Sequence, residues 1–500
     1  MPVDQHPPLP DMIEVLDRST AVDAYPGLRD WARRWLAWGP GARERVAIEA
    51  AELARPSLRP AAVAAVGRTG VRAVRAAAPG MAADARRRAR EGPLEKGAAI
   101  KHVQEVVKAG GPTYVKLGQF IATAQGLLPD EWVEAFGWCR DTVAPLPPGM
   151  AEQQFEQAFE VPIDKVLAEF DPVPLGAASI AQAHAATLPD GTDVVIKIRR
   201  PGLREQFMAD LRTMALAAAA ADRASKAARV ANLPGLVELF GQMVLEEIDF
   251  RFEALNQIEA ALASEEAGHD YCTFPRPIPH LVAEDVLVMT RVPGVRYTDA
   301  LATYPDVVDG ERLLRLAVTL ALEHTLVYGF FHGDLHAGNV LIDEGGDIGL
   351  LDFGIAGRID AAERSALVRF LVGFARNDMT LQLIGLRDFG AIPLDADLTV
   401  LGREFEAAIM AVDPALLTRE KPLTVDQLAQ ALGVVIRFLV THGFRLPKEL
   451  ILFMKNLLYL NGFCTALAPD TDLFSQIEPV FTYFITRYPE QFAVILADVT

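Results

Sequence analysis

The spacing of apolar residues predicts helices in the first third of the chain. Residues 1–95 have helical spacing with several Gly and Pro breaks, and residues 96–160 have it again. Within the second segment, GGP at 110–112 interrupts an apolar stripe, and we expect a new helix to begin near Thr113. A proline-rich connection then ends this helical region.

The period then shortens to that of β-strands. Between residues 165 and 200, the segments IAQAHAATL and DVVIKI flank the turn PDG, which predicts two strands joined by a tight turn. Residues 203–265 return to helical spacing, and residues 285–292 (DVLVMTRV) predict another strand. From residue 310 onward helices dominate, interrupted by VLIDEGGDIGLLDFG, which predicts two short strands around the turn EGGD.

This order predicts an α+β chain with a helical extension, a lobe rich in strands and a mostly helical lobe. The predicted parts are residues 1–95, 96–160, 161–292 and 293–500. At 500 residues, of which 51% are hydrophobic, the chain can bury a large core and exceeds one ordinary domain.

Charge and cysteine content narrow the class of protein. The net charge of -18 argues against nucleic-acid binding, which needs a basic face. Cys139, Cys272 and Cys464 share no metal-ligand spacing, and three cysteines cannot all pair within one chain. We therefore expect reduced thiols in a cytoplasmic compartment.

The sequence predicts no helix that crosses a membrane. The first residues, MPVDQHPPLPDMIEV, lack a charged region followed by an apolar one, so we expect no signal peptide. The segment Met214–Ala221 is too short to span a bilayer, and Glu323 and His324 interrupt Leu314–Phe331. We expect a soluble protein or one peripheral at the inner face of the membrane.

A tryptophan stripe leaves the question of a membrane surface open. Trp31, Trp35 and Trp38 share one helical face. Arg29, Arg33 and Arg34 lie near this face. Further along the chain, a second basic cluster is formed by Arg86, Arg87, Arg88 and Arg90. Such a helix either lies on a membrane surface or packs on its own domain.

The strongest chemical signal is the segment FFHGDLHAGNVLIDEGGDIGLLDFG. Asp334 and Asn339 have the spacing of a kinase catalytic loop, in which Asp positions the nucleophile and Asn holds Mg²⁺. Asp352 opens DFG after an apolar strand, where a second Mg²⁺ ligand belongs. An alternative takes His332, Asp334 and His336 as metal ligands, but it leaves Asn339 and DFG unexplained.

Lys197, inside the strand DVVIKI, suits a kinase lysine that contacts the α- and β-phosphates of ATP. Such a lysine needs a carboxylate partner from a helix, and LEEIDFRFEALN offers several. In one continuous helix Glu246, Asp249 and Glu253 share a face, and Glu247 points elsewhere. A solvated strand lysine and a solvated acidic helix are the alternatives.

A glycine-rich phosphate loop is missing before this strand. PLGAAS stands in its place, with Gly176, Ala177, Ala178 and Ser179. Small residues let the backbone approach phosphates, and Ser179 can supply a hydroxyl. The same residues also occur in ordinary turns.

Together these segments resemble the UbiB (AarF-type) atypical kinase family over roughly residues 95–470. HGDLHAGN alone is equally similar to aminoglycoside and choline phosphotransferases. Two further motifs decide for the family: YVKLGQF, with Lys116, Gly118 and Gln119, resembles its K-x-G-Q signature, and EEIDFRFEA resembles its E-x-D element.

The resemblance implies a bilobal, protein-kinase-like fold with an extra helical subdomain, and Mg-ATP as cofactor. It implies that Lys116 and Gln119 reach over the nucleotide cleft and restrict large substrates. It places Glu247 and Asp249 in the E-x-D element, with Glu253 as the partner of the strand lysine. It also implies that the alanine-rich loop, including Ala177, Ala178 and Ser179, replaces the glycine loop.

The sequence departs from the family pattern in two places. After Gln119, where the family has S-x-R-x-D, this chain has Ala122, Ala124 and Gly126. The polar contacts of that stretch are therefore lost. The alanine loop begins with Gly176, which adds backbone freedom at the nucleotide.

Three functions remain open from the sequence. After DFGIAGRID the chain enters a helical pattern without a long activation segment or A-P-E, which disfavours peptide phosphorylation. The first hypothesis is an ATPase or small-molecule kinase; the resemblance links it to isoprenoid-quinone or membrane-lipid metabolism, with a lipid or quinone precursor as ligand. The second is a nucleotide-binding regulator without turnover, and the third a phosphotransferase on a soluble metabolite. The sequence does not specify the oligomeric state.

Overall fold

The computed structural model divides the chain into two compact units. It describes residues 6–23, 25–56, 75, 79–80, 97–122, 130–140, 144–224, 232–414, 425–444, 447–469, 471 and 473–497. The first unit comprises Met1–Trp38, Glu253–Pro279 and Arg291–Thr500. The second unit comprises Gly39–Phe252 and His280–Thr290. The four-part division made from the sequence stays a prediction.

Helices make up most of both units, interspersed with short strands, so the predicted α+β class is confirmed. In the part of the chain that the structure describes, the α-helices are Met12–Arg18, Leu28–Ala54, Ala98–Gly110, Pro112–Ala122, Asp130–Ala135, Met150–Phe159, Leu203–Ala224, Leu233–Glu247, Phe250–Ala267, Tyr297–Thr303, Gly310–Leu326, Ala361–Arg376, Met379–Asp388, Leu398–Val412, Val425–Thr441, Lys448–Leu467, Leu473–Arg487 and Pro489–Ala497. Within the described ranges, two short 3-10 helices cover Gly137–Arg140 and Ile163–Lys165.

The strands of the described residues form one five-stranded, one four-stranded and one two-stranded sheet. They are β1 (Glu169–Ala177), β2 (Ala181–Thr187), β3 (Asp193–Arg199), β4 (Cys272–Thr273), β5 (Pro277–Val282), β6 (Val286–Thr290), β7 (Val295–Arg296), β8 (Phe330–His332), β9 (Val340–Ile342), β10 (Ile348–Leu350) and β11 (Ala356–Arg358). Their orders are β1-β2-β3-β6-β5, β4-β10-β9-β7 and β11-β8.

The strands predicted around residues 165–200 and 285–292 are β2, β3 and β6, which are antiparallel neighbours in the five-stranded sheet. Val194, Ile196 and Ile198 of β3 are fully buried, and Lys197 alternates with them. Lys197 lies opposite Ala183 on β2 and Leu287 on β6. A β-branched strand thus buries one face and places the lysine on the other.

The acidic segment LEEIDFRFEALN is not one continuous helix, so the regular helical spacing assumed for its carboxylates does not hold, and their shared face stays a prediction. One helix ends at Glu247 and the next begins at Phe250. Between them, the Asp249 carboxylate accepts a hydrogen bond from the Arg251 backbone N–H at 3.1 Å. Aspartate favours this capping role over a position inside a helix, which explains the break.

In the first unit, β9 and β10 form the short antiparallel pair predicted around EGGD. The chain then passes through β11 into the helix Ala361–Arg376, whose start is fixed by a capping box between Asp360 and Glu363. The helix predicted after DFGIAGRID is therefore confirmed.

One helix in the described part of the chain, Lys448–Leu467, is long and apolar enough to cross a membrane. Its mean hydropathy is 1.4 over 18 residues, and 67% of that window is buried. Such burial is typical of a core helix, and the sequence-based search for apolar runs missed it.

The tryptophan stripe lies on the helix Leu28–Ala54. Trp35 is buried, whereas Trp31 and Trp38 are partly exposed. The Trp31 and Trp35 ring centroids lie 5.2 Å apart, and the Arg34 guanidinium lies 5.7 Å from the Trp31 centroid. Burial of the central tryptophan supports the packed interpretation of this helix.

Candidate functional site

The catalytic-loop candidates in the first unit are organised by a buried histidine. His332 ends β8 and donates from Nε2 to the backbone carbonyl of Leu351 at 2.8 Å. Its Nδ1 accepts from the Asp334 backbone N–H at 3.0 Å. Burial lowers the pKa of His332, which favours the neutral ring that both contacts require. His332 therefore fixes the loop.

This geometry contradicts the alternative in which His332, Asp334 and His336 bind a metal. Both ring nitrogens of His332 are engaged by the backbone. His336 Nδ1 accepts from the Gly338 backbone N–H at 2.9 Å. Within the described ranges, no group of three or more His, Cys, Asp or Glu residues could hold a metal ion.

Asp334 has an ion-pair partner that the sequence analysis missed. The Lys455 Nζ lies 2.9 Å from Asp334 Oδ1, and the two side chains are 14% and 23% exposed, respectively. His336 Nε2 lies 3.9 Å from the other carboxylate oxygen. Lys455 comes from the helix Lys448–Leu467. A charge inside the apolar run ILFMKNLLYL was the available signal, but nothing local identifies its partner.

Asn339 is buried, and its side chain is oriented by the same loop. Its Nδ2 donates to the Asp334 backbone carbonyl at 3.0 Å, so Oδ1 is the remaining amide acceptor. The Leu351 backbone N–H donates to the Asn339 carbonyl at 2.8 Å, which joins this loop to the residue before Asp352. An amide oxygen and a carboxylate are hard oxygen ligands of the kind that Mg²⁺ prefers, so this pair fits the ion.

Asp352 adopts a left-handed backbone conformation, with φ of 51°. Its Oδ1 accepts from the Gly354 backbone N–H at 3.3 Å. A non-glycine residue in this region is strained, and such strain concentrates at functional sites. The conformation is consistent with a side chain held for a ligand.

A second residue missed by the sequence analysis holds the DFG segment. Asn256 is buried, and its Nδ2 donates to the Phe353 backbone carbonyl at 2.7 Å. Its Oδ1 accepts from Arg358 at 2.7 Å, and Arg358 also pairs with Glu259. Asn256 follows the E-x-D element by seven residues, and its sequence context gives no sign of this role.

In the second unit, Lys197 Nζ lies 5.5 Å from the centroid of the Phe250 ring. Phe250 begins the helix Phe250–Ala267, which also carries the buried Glu253. The pairing of Lys197 with Glu253 stays a prediction.

The K-x-G-Q and E-x-D motifs contact each other directly. Lys116, on the helix Pro112–Ala122, places Nζ 2.5 Å from Glu247 Oε1. Asp249 does not join this pair, because its carboxylate binds Arg251, with Oδ2 2.6 Å from the guanidinium. Glu247 thus points towards Lys116.

Gln119 ties the K-x-G-Q helix to the alanine-rich loop. Its Oε1 accepts from the Ser179 hydroxyl at 3.1 Å, and its Nε2 donates to the Cys139 backbone carbonyl at 3.0 Å. Ser179 is buried and Ala178 is exposed. The predicted role of the Ser179 hydroxyl towards phosphate therefore competes with its bond to Gln119.

The loop itself ends a strand that the sequence analysis missed. Gly176 and Ala177 belong to β1, and the Ala178 backbone N–H donates to the Ala181 carbonyl at 2.8 Å.

Of the departures from the family pattern, Ala122 is buried at the end of its helix. Ala124, Gly126 and the arginine cluster at residues 86–90 lie outside the described residues.

A protein-family model matches the central part of the chain. The ABC1 atypical kinase-like domain matches residues 139–382. The K-x-G-Q helix precedes the matched segment, and Lys455 follows it.

Relatives extend over most of the chain. The uncharacterized aarF domain-containing protein kinase, chloroplastic, of Arabidopsis thaliana is 31% identical over 391 residues, which cover 74% of this chain and 72% of that protein. The probable protein kinase UbiB of Azotobacter vinelandii is 31% identical over 373 residues, covering 74% and 68%. An uncharacterized protein of Mycobacterium tuberculosis is 32% identical over 410 residues, or 80% of each chain.

Among solved structures, the complex of Rv3197 with erythromycin from Mycobacterium tuberculosis aligns with a TM-score of 0.42 and 21% sequence identity. The alignment covers 70% of this chain and 91% of that one.

Proposed function

Because this chain belongs to the family of UbiB and aarF-domain proteins, with an ABC1 atypical kinase-like domain, we propose that it binds Mg-ATP and transfers the γ-phosphoryl group to water or a small acceptor. The bond from Asn339 Nδ2 to the Asp334 carbonyl carries the proposal, because it uses the amide donor and leaves the amide oxygen of Asn339 as the atom that would bind a cation. Asp334 orients the acceptor, and Asn339 and Asp352 hold the magnesium ion.

The remaining site residues bind the nucleotide. Lys197 contacts the α- and β-phosphates, and Glu253 positions that lysine. The backbone at Ala177 and Ala178 approaches the phosphates, and Ser179 closes this loop through its bond to Gln119. The bound Mg²⁺ supplies neutralisation of the phosphate charge.

The elements around Lys116 and Gln119 restrict the substrate. Lys116 is held by Glu247, and Gln119 is held by Ser179 and Cys139. Asp249 supports the same region by fixing Arg251 at the helix break. A K-x-G-Q helix anchored in this way favours water or a small acceptor over a peptide.

The acceptor that we propose belongs to lipid or isoprenoid-quinone metabolism, as the resemblance to the UbiB family implies. We test this with purified protein, measuring Mg-ATP turnover with and without liposomes and phenolic quinone-precursor mimics. Hydrolysis that lipid stimulates and Asp352→Asn abolishes supports the proposal. Asp347→Asn is the matched control, because this carboxylate lies five residues earlier and is 41% exposed.

The alternatives give different results in the same assay. A nucleotide-binding regulator would show a melting-temperature shift with Mg-ATP and negligible hydrolysis in both the wild type and Asp352→Asn. A phosphotransferase on a soluble metabolite would transfer phosphate to a small alcohol without any response to lipid. Transfer of label to protein would contradict the exclusion of peptide acceptors.

Peripheral membrane binding is a separate part of the proposal. Trp31 and Trp38 are its candidates, since Trp35 is buried. Sedimentation with anionic liposomes tests it, comparing the wild type with Trp31→Ala/Trp38→Ala. Retained binding by the double variant removes this helix as the anchor.

A further inference from the structure

Lys455 occupies an unusual position for a lysine. The helix Lys448–Leu467 is largely buried, and the residues before and after Lys455, Met454 and Asn456, are 1% and 5% exposed. The Lys455 side chain is itself only 14% exposed, and its ammonium lies 5.3 Å from the Tyr459 ring centroid. Removing an ammonium from water is costly unless its charge and its protons are satisfied.

Asp334 satisfies only part of this requirement. An ammonium has three N–H donors, and within the described residues Lys455 donates a hydrogen bond to one acceptor, Asp334 Oδ1. The Tyr459 ring face offsets charge but accepts no conventional hydrogen bond. Two donors therefore remain beside the carboxylate that orients the acceptor.

The helix also fixes the loop on which that carboxylate stands. Asn456 Nδ2 donates to the His332 backbone carbonyl, one residue along from Lys455. Lys455 thus comes from a buried scaffold that is anchored at the catalytic loop, as a group held for charge stabilisation requires.

We propose that Lys455 is a catalytic residue of the phosphoryl-transfer site, binding Asp334 with one N–H and the oxygen atoms of the transferred phosphoryl group with the others. The proposal rests on the proposed function. Charge on these oxygens is spread over the transferring group in a loose transition state, and a preorganised cation beside them lowers its energy.

The reaction balances without any change at the lysine. For hydrolysis, the water oxygen bonds to the γ-phosphorus while the phosphorus–oxygen bond to ADP breaks and leaves its electron pair on ADP. The water proton passes to the Asp334 carboxylate and then to solvent. Lys455 keeps its three protons throughout.

The test compares Lys455→Met with Lys455→Arg. Methionine keeps the length and packing of the stem without the charge, whereas arginine keeps the charge. We expect Lys455→Met to lower kcat about 100-fold, while KM for ATP changes less than about threefold. The kcat of Lys455→Arg should be at least about tenfold higher than that of Lys455→Met. Lys448→Met removes a lysine from the same helix and serves as the control, with kcat unchanged.

A binding measurement separates this inference from the proposed function. Calorimetry measures affinity for MgADP with and without aluminium fluoride, which mimics the transferring phosphoryl group. We expect Lys455→Met to lose about 100-fold for the aluminium fluoride complex and little for MgADP alone. This comparison also decides the case in which the wild type binds nucleotide but turns it over too slowly to measure.

Two results in Lys455→Met would overturn the role of Lys455 while leaving the proposed function intact. One is an equal loss of affinity for MgADP and for its aluminium fluoride complex. The other is a kcat within about twofold of wild type. A rise in kcat would overturn it as well, since the lysine would then only restrain Asp334. Absence of nucleotide binding by the folded wild type would end both proposals.

Discussion

Lys116 and Glu247 form an ion pair with 2.5 Å between Nζ and Oε1, and their side chains are only 18% and 12% exposed. The pair joins the helix Pro112–Ala122 to the end of the helix Leu233–Glu247. The K-x-G-Q and E-x-D motifs, 131 residues apart in the chain, therefore act as one structural element.

Lys116→Met should lower the free energy of unfolding by about 2–3 kcal/mol, because it leaves the shielded Glu247 carboxylate without its cation. Glu247 Oε2 already has no hydrogen-bond partner within the described residues. We expect the double variant Lys116→Met/Glu247→Leu to lose clearly less unfolding free energy than the sum of the losses in the two single variants, as measured by urea unfolding. The exposed Lys101→Met is the control, within about 0.5 kcal/mol of wild type. Additive losses would mean that the two side chains contribute independently.

Gly118 leaves room for a neighbouring sulfur. A Cβ at this position would lie 2.3 Å from Cys139 Sγ and 3.1 Å from Val107 Cγ1. Gly118→Ala should therefore destabilise the protein by about 1–2 kcal/mol, because overpacking outweighs the gain in helix propensity. Urea unfolding measures this loss.

The double variant Gly118→Ala/Cys139→Ala should recover most of that stability, since it removes the clashing sulfur. Gly137→Ala is the matched control, because nothing lies within 4 Å of a Cβ placed there. If Gly118→Ala is as stable as wild type, the close approach of the two helical segments is wrong.

His324 should make the protein less stable in mild acid. It is buried beside Ser264, with 2.9 Å between Ser264 Oγ and Nε2. Burial, with a smaller contribution from His269, lowers its pKa to about 3 from 6.5. A lowered pKa disfavours the protonated ring in the folded state, so this contribution is complete above about pH 6.5 and is lost as pH falls towards 3.

The expected loss from this ring is about 2 kcal/mol between pH 7 and pH 5, at about 1.4 kcal/mol per pH unit. His324→Gln removes the titrating group, so its stability should fall less over the same range. Urea unfolding at both pH values gives the difference. An identical fall in wild type and variant would exclude His324 as the source.

Asn256 should be needed for the position of the DFG segment. Asn256→Leu removes the donor to the Phe353 carbonyl and the acceptor for Arg358, and we expect a loss of about 2–3 kcal/mol in unfolding free energy. Mg-ATP turnover, measured at a temperature well below the melting temperature of the variant, should also fall. Asn256→Asp keeps the contact with Arg358 and loses only the donor, so its loss of stability should be smaller. Unchanged turnover in Asn256→Leu would show that DFG is held by other contacts.

The sequence predicted the family and the local motifs of the site better than it predicted the long-range contacts between side chains. The family and the kinase-like fold are confirmed. Lys197 falls on the predicted strand, and Asp334 and Asn339 are joined by a hydrogen bond within six residues. Such local signals depend on spacing along a few residues, which the sequence states directly.

What the sequence could not predict depends on long-range contacts. The contact of Lys455 with Asp334 spans 121 residues and that of Asn256 with Phe353 spans 97. The assumed continuity of the helix through Asp249 failed for a different reason. The capping preference of aspartate outweighed a helical period that was otherwise regular.

The helix Lys448–Leu467 sets a practical limit on truncation. Sequence similarity to the ABC1 domain stops at residue 382, so an expression fragment cut there would keep Asp334 and Asn339 but discard Lys455 and Asn456. Such a fragment would also expose the apolar surface that this helix covers. Domain boundaries chosen from the ABC1 domain match alone would therefore give an aggregation-prone product whose inactivity says nothing about the intact protein.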